Sequence, residues 1–145
     1  MIRQLDHAPP ELADIHAACF DRPWSAGVLS DLAVKTHHRL YVVEDNGCAV
    51  SFVVLMSVAG EAEILTLATD PRRQKQGHAR RLLNHLIASL KAEGHETLFL
   101  EVAVDNAAAL ALYTACGFER VGLRKAYYTR SGGAPVDGHM LRLAL

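Results

Sequence analysis

The sequence predicts one α/β domain over residues 1–145, in which a sheet packs against amphipathic helices. Strand-like apolar runs alternate with helix-like periodic stretches along the chain. Two of these runs, at residues 64–69 and 98–102, lead through a short polar segment into a helix. Half of the residues are apolar, which is enough to bury a core at this length. No repeat or linker divides the chain.

The first predicted elements are a strand and two helices. Residues 1–6 are expected to form an opening strand. Residues 11–20 follow as a helix, because their apolar side chains recur on one helical face. Ser25 is a suitable N-cap for a second, short helix. The two apolar faces consist of Leu12, Ile15 and Cys19 in the first helix and Val28, Leu29 and Leu32 in the second.

Three strands are predicted next. Residues 40–43 and 50–58 are strand-like, and Asn46-Gly47 between them is a strong signal for a two-residue hairpin. Residues 61–69 form the third strand of the run, and Asp70-Pro71 ends it.

A polar loop, residues 74–79, leads from the 61–69 strand into an amphipathic helix at residues 79–93. The first N–H groups of a helix have no intrahelical partner, and the helix dipole favours negative charge there. Gly77 lets the backbone approach a ligand, and Ala79 keeps a nearby position small. Positive charge surrounds the loop, from Arg72, Arg73, Lys75, Arg80 and Arg81. The loop is a candidate phosphate or pyrophosphate site, although a solvated basic face would give the same pattern.

A second strand-to-helix unit follows. Residues 97–104 form a predicted strand that carries Glu101 among apolar neighbours. Asp105-Asn106 is a good cap for a helix at residues 107–116, and Gly117 is a good stop signal.

The chain ends in a predicted strand pair, residues 118–128 and 139–143. The connection between them, residues 129–138, contains several glycines, a serine and a proline and is long for a hairpin. We therefore expect a loop that is either functional or mobile.

Composition argues against several functions. The net charge of −1 gives no general attraction to nucleic acid, and no apolar run approaches the roughly 18 residues of a membrane span. The three cysteines have no CxxC spacing, as expected in a reducing cytoplasm. The eight histidines lack ligand-like spacing, so we expect no metal. Neither the GxxxxGK(S/T) motif nor a GxGxxG after the first strand is present.

The loop and the second unit together resemble the GNAT (acyl-CoA N-acyltransferase) family, which binds acetyl-CoA. The family's pyrophosphate loop, Q/R-x-x-G-x-G/A, is matched by Gln74, Gly77 and Ala79. Its second block, L-E-V-x-x-x-N-x-x-A-x-x-L-Y-x-x-x-G-F, is matched by Leu100, Glu101, Val102, Asn106, Ala109, Leu112, Tyr113, Gly117 and Phe118. The resemblance covers essentially the whole chain. It implies the GNAT fold, a mixed and mostly antiparallel sheet flanked by helices and splayed between strands 4 and 5, where the cofactor lies.

Acetyl transfer from a thioester to an amine needs a proton acceptor for the amine and a proton donor for the departing thiolate. The resemblance assigns the first role to Glu101. An ordinary glutamate, with a pKa of about 4.3, is a weak base, so a bound water or apolar neighbours would have to assist it. The alternative is a strand carboxylate that faces solvent or pairs with an arginine.

The candidate donor is Tyr113, since an ordinary tyrosine pKa of about 10 suits protonation of a thiolate. The alternative is a half-buried tyrosine that packs beside Leu110.

The resemblance also assigns the residues that would bind acetyl-CoA. The pantetheine arm would pair with the backbone of Leu67, Ala68 and Thr69 like an added strand. The pyrophosphate would be held mainly by backbone N–H groups of Lys75, Gln76, Gly77, His78, Ala79 and Arg80. Asn106 would cap its helix through the side-chain oxygen and contact the cofactor through the free amide.

Three segments resemble the RimI subfamily, N-terminal acetyltransferases whose best-known bacterial members modify the N-terminal alanine of a small-subunit ribosomal protein. They are Pro23-Trp24-Ser25, Leu100-Glu101-Val102 and Arg124-Lys125-Ala126-Tyr127-Tyr128. The last segment would place Tyr127 and Tyr128 against the substrate, although both can equally be plain strand aromatics. Thr129 stands where the subfamily usually has proline.

The implied substrate is therefore the N-terminal α-amine of a protein. At pH 7 roughly a tenth of an α-amino group is neutral, against well under a thousandth of a lysine, so a weak base has less to do there. A lysine or small-amine acetyltransferase stays open, as does an acetyl-CoA-binding module without catalysis. The presence of both Glu101 and Tyr113 argues against the module.

Overall fold

The computed structural model describes residues 1–145 and contains the helices and strands in the predicted order. The strands are β1 (Ile2–Leu5), β2 (His38–Asp45), β3 (Cys48–Val58), β4 (Glu61–Thr69), β5 (Thr97–Ala103), β6 (Glu119–Arg130) and β7 (Gly133–Ala144). The helices are α1 (Pro10–Cys19), α2 (Ala26–Val34), α3 (His78–Ala92) and α4 (Ala107–Ala115). A short 3-10 turn, Pro71–Arg73, follows β4.

Several local signals act as predicted. Asn46 and Gly47 have φ of 51° and 78°, as expected for a tight turn between antiparallel strands. The Ser25 hydroxyl accepts a hydrogen bond from the Val28 N–H at 3.2 Å and so caps α2. Val28 itself is 44% exposed, however, and the buried face of α2 is formed by Leu29 and Ala33.

The seven strands form one sheet in the order β1-β2-β3-β4-β5-β7-β6. Only β4 and β5 are parallel, and every other neighbouring pair is antiparallel. The sheet is therefore mixed and mostly antiparallel, which confirms the predicted fold class.

The fourth and fifth strands separate halfway along their length. They pair from Glu61–Thr97 to Ile64–Leu100, and beyond that point neither strand pairs with the other, although β4 continues to Thr69. At the same place the pairing of β4 with β3 shifts register, because Leu65 is an extra residue between the pairs Leu55–Ile64 and Val54–Thr66. This β-bulge bends β4 away from β5 and opens the predicted cleft.

Two apolar clusters hold helices on both faces of the sheet. Leu82, Leu83, Leu86 and Leu90 of α3 are completely buried against one face. On the other face, Leu12 of α1 and Leu29 of α2 pack onto Leu40, Phe52 and Val54. The α3 helix thus buries the stripe that its sequence period defines, whereas Cys19 of the predicted α1 face and Val28 of the predicted α2 face are exposed.

The prediction of a long loop at residues 129–138 was wrong. Strand β6 continues to Arg130 and β7 begins at Gly133, so only Ser131 and Gly132 lie between them. The single proline of this segment, Pro135, lies between the pairs Tyr128–Val136 and Arg130–Gly133, where the register shifts. Its missing N–H therefore falls where the ladder is already irregular.

Candidate active site

The cleft between β4 and β5 brings most of the predicted site residues to one region. Leu67, Ala68 and Thr69 lie on the part of β4 that has left β5, and their strand stays paired with β3 on its other edge. The Thr69 carbonyl accepts bonds from the Cys19 thiol and the Gln74 amide, both at 3.2 Å. Gln74, the first residue of the loop motif, therefore fastens the loop to the end of β4.

The loop before α3 has the backbone shape of an anion site. Gly77 occupies the N-cap position with φ 84° and no side-chain cap, and Lys75 also has a positive φ of 61°. The first intrahelical bond runs from the Arg81 N–H to the Gly77 carbonyl, so the N–H groups of residues 78–80 have no helical partner. A Cβ built on Gly77 would meet no atom within 4 Å, so the space above the loop is open.

The basic residues around this loop fall into two groups. Arg72 pairs with Asp70 at 2.8 Å, and Arg73 pairs with Asp45. The other three cations have no carboxylate partner, namely Lys75, Arg80 and Arg81. The uncompensated positive charge therefore lies on the loop and the first turn of α3, where the free N–H groups are.

His78 is buried, with 8% of its surface exposed. Its Nε2 lies 3.3 Å from Gln76 Oε1, and its Nδ1 is buried without a partner. Its ring is therefore enclosed, and its backbone N–H is one of the three without a helical partner.

Glu101 lies on β5 opposite Met140 of β7, with 13% of its side chain exposed. Its Oε1 is 3.2 Å from Arg124 Nε, so the sequence-based alternative of an arginine partner is present in the structure. The other oxygen, Oε2, is buried and has no hydrogen-bond partner. One oxygen is thus paired with an arginine and the other has no partner within the protein.

Tyr113 of α4 is almost completely buried, with 6% exposed, rather than half-buried. Its ring meets Phe118 edge to face at 5.5 Å between centroids. Burial raises the pKa of its phenol above the ordinary value, and the nearby Tyr128 and Cys116 raise it further. The group therefore remains a protonated donor at neutral pH.

Asn106 caps α4 as predicted. Its Oδ1 accepts a hydrogen bond from the Ala109 N–H at 3.1 Å, and its side-chain N–H₂ makes no bond within the protein. The amide is therefore available to a ligand, as the sequence argument required.

Tyr127 and Tyr128 meet edge to face at 5.0 Å. Tyr127 is 48% exposed with the Arg124 guanidinium 4.8 Å from its ring centre, whereas Tyr128 is half-buried. Burial, and next the charge of Glu101, raise the pKa of Tyr128 to about 12. Glu101 therefore influences the pKa of Tyr128, and Tyr128 influences the pKa of Tyr113.

The tip of the β6–β7 hairpin touches two other loops. The Ser131 N–H donates to Asp21 Oδ2 at 3.3 Å, and Arg130 pairs with Asp105 at 2.8 Å. Asp21 follows α1 and Asp105 precedes α4, so the hairpin connects both sides of the cleft. Sequence reasoning missed these contacts, because no local pattern links Ser131 to a residue 110 positions away or Arg130 to one 25 positions away.

Sequence reasoning also missed His16, a buried side chain of α1 with 2% exposed. Its Nδ1 accepts from the Trp24 N–H at 3.1 Å, and its Nε2 lies 3.0 Å from the Thr66 hydroxyl of β4. The ring stacks on Phe20 at 4.3 Å and Trp24 at 5.2 Å. Burial lowers its pKa to about 4, so a neutral imidazole fixes the Pro23-Trp24-Ser25 segment to β4.

The structure contains no group of side chains that could hold a metal ion. None of its helices combines the length and the apolar character that crossing a membrane requires.

Comparison with known proteins agrees with this fold and cleft. The sequence profile of the acetyltransferase (GNAT) family matches residues 10–118, so the chain belongs to that family. It is 36% identical over 135 residues to the ribosomal protein bS18-alanine N-acetyltransferase of Haemophilus ducreyi, with 92% of each chain covered. It is 34% identical over 136 residues to the N-alpha-acetyltransferase RimI of Mycobacterium tuberculosis, covering 90% of this chain and 82% of the relative.

Among solved structures, the ribosomal-protein-S18-alanine N-acetyltransferase from Escherichia coli superposes with a TM-score of 0.88 at 31% identity, covering 99% of this chain and 94% of the other. These matches confirm the resemblance to RimI-type enzymes and identify the chain as an acetyltransferase.

Proposed function

We propose that this chain transfers the acetyl group of acetyl-CoA to the N-terminal α-amine of a protein, and that this protein is a small-subunit ribosomal protein beginning with alanine. The names of relatives that cover nearly the whole chain support the substrate class. The structural observation that supports it most is the hairpin tip, bonded to Asp21 on one side and Asp105 on the other. A cleft bridged in this way admits a chain end more readily than a chain passing through.

Acetyl-CoA would lie in the β4–β5 cleft. The backbone at Leu67, Ala68 and Thr69 is the part of β4 without a β5 partner, and a pantetheine arm can pair there. The N–H groups of residues 78–80, together with the loop of Lys75, Gln76 and Gly77, suit a pyrophosphate, and three uncompensated cations surround them. The free amide of Asn106 offers one further contact. Bound acetyl-CoA supplies an activated acetyl group and a thiolate leaving group.

The proton transfers fall to two side chains. Glu101 Oε2 accepts the proton that the amine loses, because it is buried in the cleft without another partner. The Tyr113 hydroxyl protonates the departing thiolate, because burial keeps it protonated. Tyr127 and Tyr128 would pack against the first residues of the substrate.

The choice of an α-amine follows from the weakness of a carboxylate base. About a tenth of an α-amino group is already neutral at pH 7, so part of the nucleophile is deprotonated before Glu101 acts on it. A lysine amine stays almost fully charged under the same conditions. We propose that this activity is cytoplasmic and is carried out by one domain over residues 1–145.

A pair of peptides tests the proposal. One begins with a free alanine and the other is its N-terminally blocked twin, and both contain an internal lysine. We expect rapid acetylation of the first peptide and little of the second. Thioester consumption and mass spectrometry measure the acetylation. Comparable turnover on the blocked twin would contradict the N-terminal proposal and favour a lysine acetyltransferase. Absence of turnover on any amine despite acetyl-CoA binding would favour a non-catalytic module.

Comparison of protein N-termini in cells with and without the gene identifies the natural substrate. The proposal expects one small-subunit ribosomal protein to lose its N-terminal acetyl group. An unchanged set of N-termini would contradict it.

A further inference from the structure

The β6–β7 ladder is interrupted beside the tyrosine pair. The pairing is regular from Gly122–Met140 to Arg124–Gly138 and resumes at Tyr128–Val136, so four steps along β6 correspond to two along β7. The two extra residues form a bulge. Ala126 lies at its centre with φ 52°, a left-handed conformation that a residue with a Cβ seldom adopts.

A single side chain stabilises this conformation. The Ala126 N–H donates to Asp137 Oδ1 at 2.8 Å, a charge-assisted hydrogen bond from the bulged strand to its neighbour. No ion pair competes for the Asp137 carboxylate. The backbone carbonyl of Asp137 accepts a hydrogen bond from the Val104 N–H at 3.0 Å. Asp137 therefore connects the bulge to the end of β5, the strand that carries Glu101.

The bulge determines where the tyrosines lie. A Cβ on Gly138 would be 3.0 Å from Tyr128 Cε2 and 3.5 Å from Tyr127 Cδ2, so both rings lie directly over this glycine. Gly138 pairs with Ala103 and Met140 pairs with Glu101, which places the rings on the sheet face of Glu101. Without the two extra residues, the register would shift and Tyr128 would pair with a different residue of β7.

We infer that Asp137 is a positioning residue for substrate binding: its carboxylate holds Ala126 in the left-handed bulge that seats Tyr127 and Tyr128 over Gly138, beside Glu101. This inference rests on the proposed role of the tyrosines in binding a chain end. Asp137 acts through the bulge and touches neither substrate.

Three substitutions separate positioning from general stability. Asp137→Ala removes the acceptor and should raise the peptide KM about tenfold, the equivalent of one lost charged hydrogen bond, while the acetyl-CoA KM stays unchanged. Asp137→Asn keeps an oxygen at Oδ1 and should stay close to the wild type. Adding Ala126→Gly to Asp137→Ala should restore the peptide KM, because glycine adopts a positive φ without assistance.

The ring resonances of Tyr128, assigned with Tyr128→Phe, provide a readout that needs no peptide. They should shift or broaden in folded Asp137→Ala and return in the double variant. An unchanged peptide KM and unchanged ring resonances in folded Asp137→Ala would overturn the inference, as would a double variant that is not restored. If the ring resonances respond as expected but the wild-type protein acetylates no peptide α-amine, the positioning role holds and the proposed function fails.

Discussion

Replacing Tyr113 by phenylalanine separates catalysis from stability, because the structure predicts a large effect on the first and almost none on the second. The ring would remain packed edge to face on Phe118 at 5.5 Å. The hydroxyl makes no hydrogen bond within the protein and is not among its buried polar atoms without a partner, so its removal breaks no bond. We expect the free energy of unfolding to change by less than about 0.5 kcal/mol.

The effect on the reaction should be large. A general acid typically contributes about 10²–10⁴-fold, so kcat should fall within that range while the affinity for acetyl-CoA stays constant. Tyr113→Ala serves as the contrast, because it removes the whole ring from a residue that is 6% exposed. That variant should lose about 3–5 kcal/mol of stability in addition to activity.

The raised pKa of Tyr113 adds a pH prediction. A raised pKa keeps the phenol protonated to higher pH, so the supply of protons from this group should persist up to at least about pH 10. In the wild-type protein, kcat should therefore show no alkaline decline below that pH. A decline near neutrality that disappears in Tyr113→Phe would show that the phenol titrates there and that its burial does not act as argued.

The measurements are steady-state turnover with an alanine-led peptide, calorimetric titration with acetyl-CoA and thermal unfolding. The assignment of Tyr113 as the acid would be refuted by a kcat within about threefold of the wild type. A phenylalanine variant as unstable as the alanine variant would show that the packed ring does not supply the stability of this position.

Three further predictions use two other parts of the site and the buried His16. Glu101→Gln should lower kcat, and the loss should ease as pH rises through about 7.8, where an α-amine deprotonates by itself; a loss constant with pH would argue against a proton acceptor. Gly77→Asp should weaken acetyl-CoA binding strongly, since it sets a carboxylate beside the free N–H groups. Gly77→Ala is the control for backbone strain at φ 84°. Equal affinity of the Asp variant and the wild type for acetyl-CoA would refute the assignment of the pyrophosphate site to this loop. The pKa of His16 is lowered to about 4, so the unfolded chain binds a proton that the native state does not as pH falls from about 6.5 to about 4. The free energy of unfolding should therefore decrease by up to about 3 kcal/mol over this range. His16→Asn should flatten this dependence on pH, and an unchanged dependence would contradict the prediction.

Much of the fold was predictable because its signals are local. The bounds of β4 agree with the sequence prediction, since Asp70-Pro71 marks the end of the strand in both. The separation of β4 from β5, in contrast, came from the family resemblance. Its physical cause is the extra residue Leu65 in the β4–β3 pairing. Leu65 lies in a mostly apolar run, and such a run does not distinguish a bulged strand from a regular buried one.

The parts that sequence reasoning missed depend on distant contacts. His16 is separated by 50 residues from Thr66, and nothing in its helical neighbourhood indicates this partner. The segment of residues 129–138 has the composition of a loop, yet most of it is strand because β7 pairs with β5 and β6 pairs with β7. Tertiary pairing overrides local propensity at such positions.

The ion pair at Glu101 initially argues against a catalytic role. The geometry, however, allows its two carboxylate oxygens to have different roles, one pairing with arginine and the other accepting a proton. Arg124 lies 3.2 Å from Oε1, while Oε2 stays buried without a partner. A carboxylate held on one side by a guanidinium keeps its other oxygen in a fixed place. A proton acceptor must first be within hydrogen-bond reach, and base strength matters less when about a tenth of the amine is already neutral. The arrangement therefore suits an α-amine, whereas a lysine, which stays charged at pH 7, would require the carboxylate to do most of the deprotonation itself.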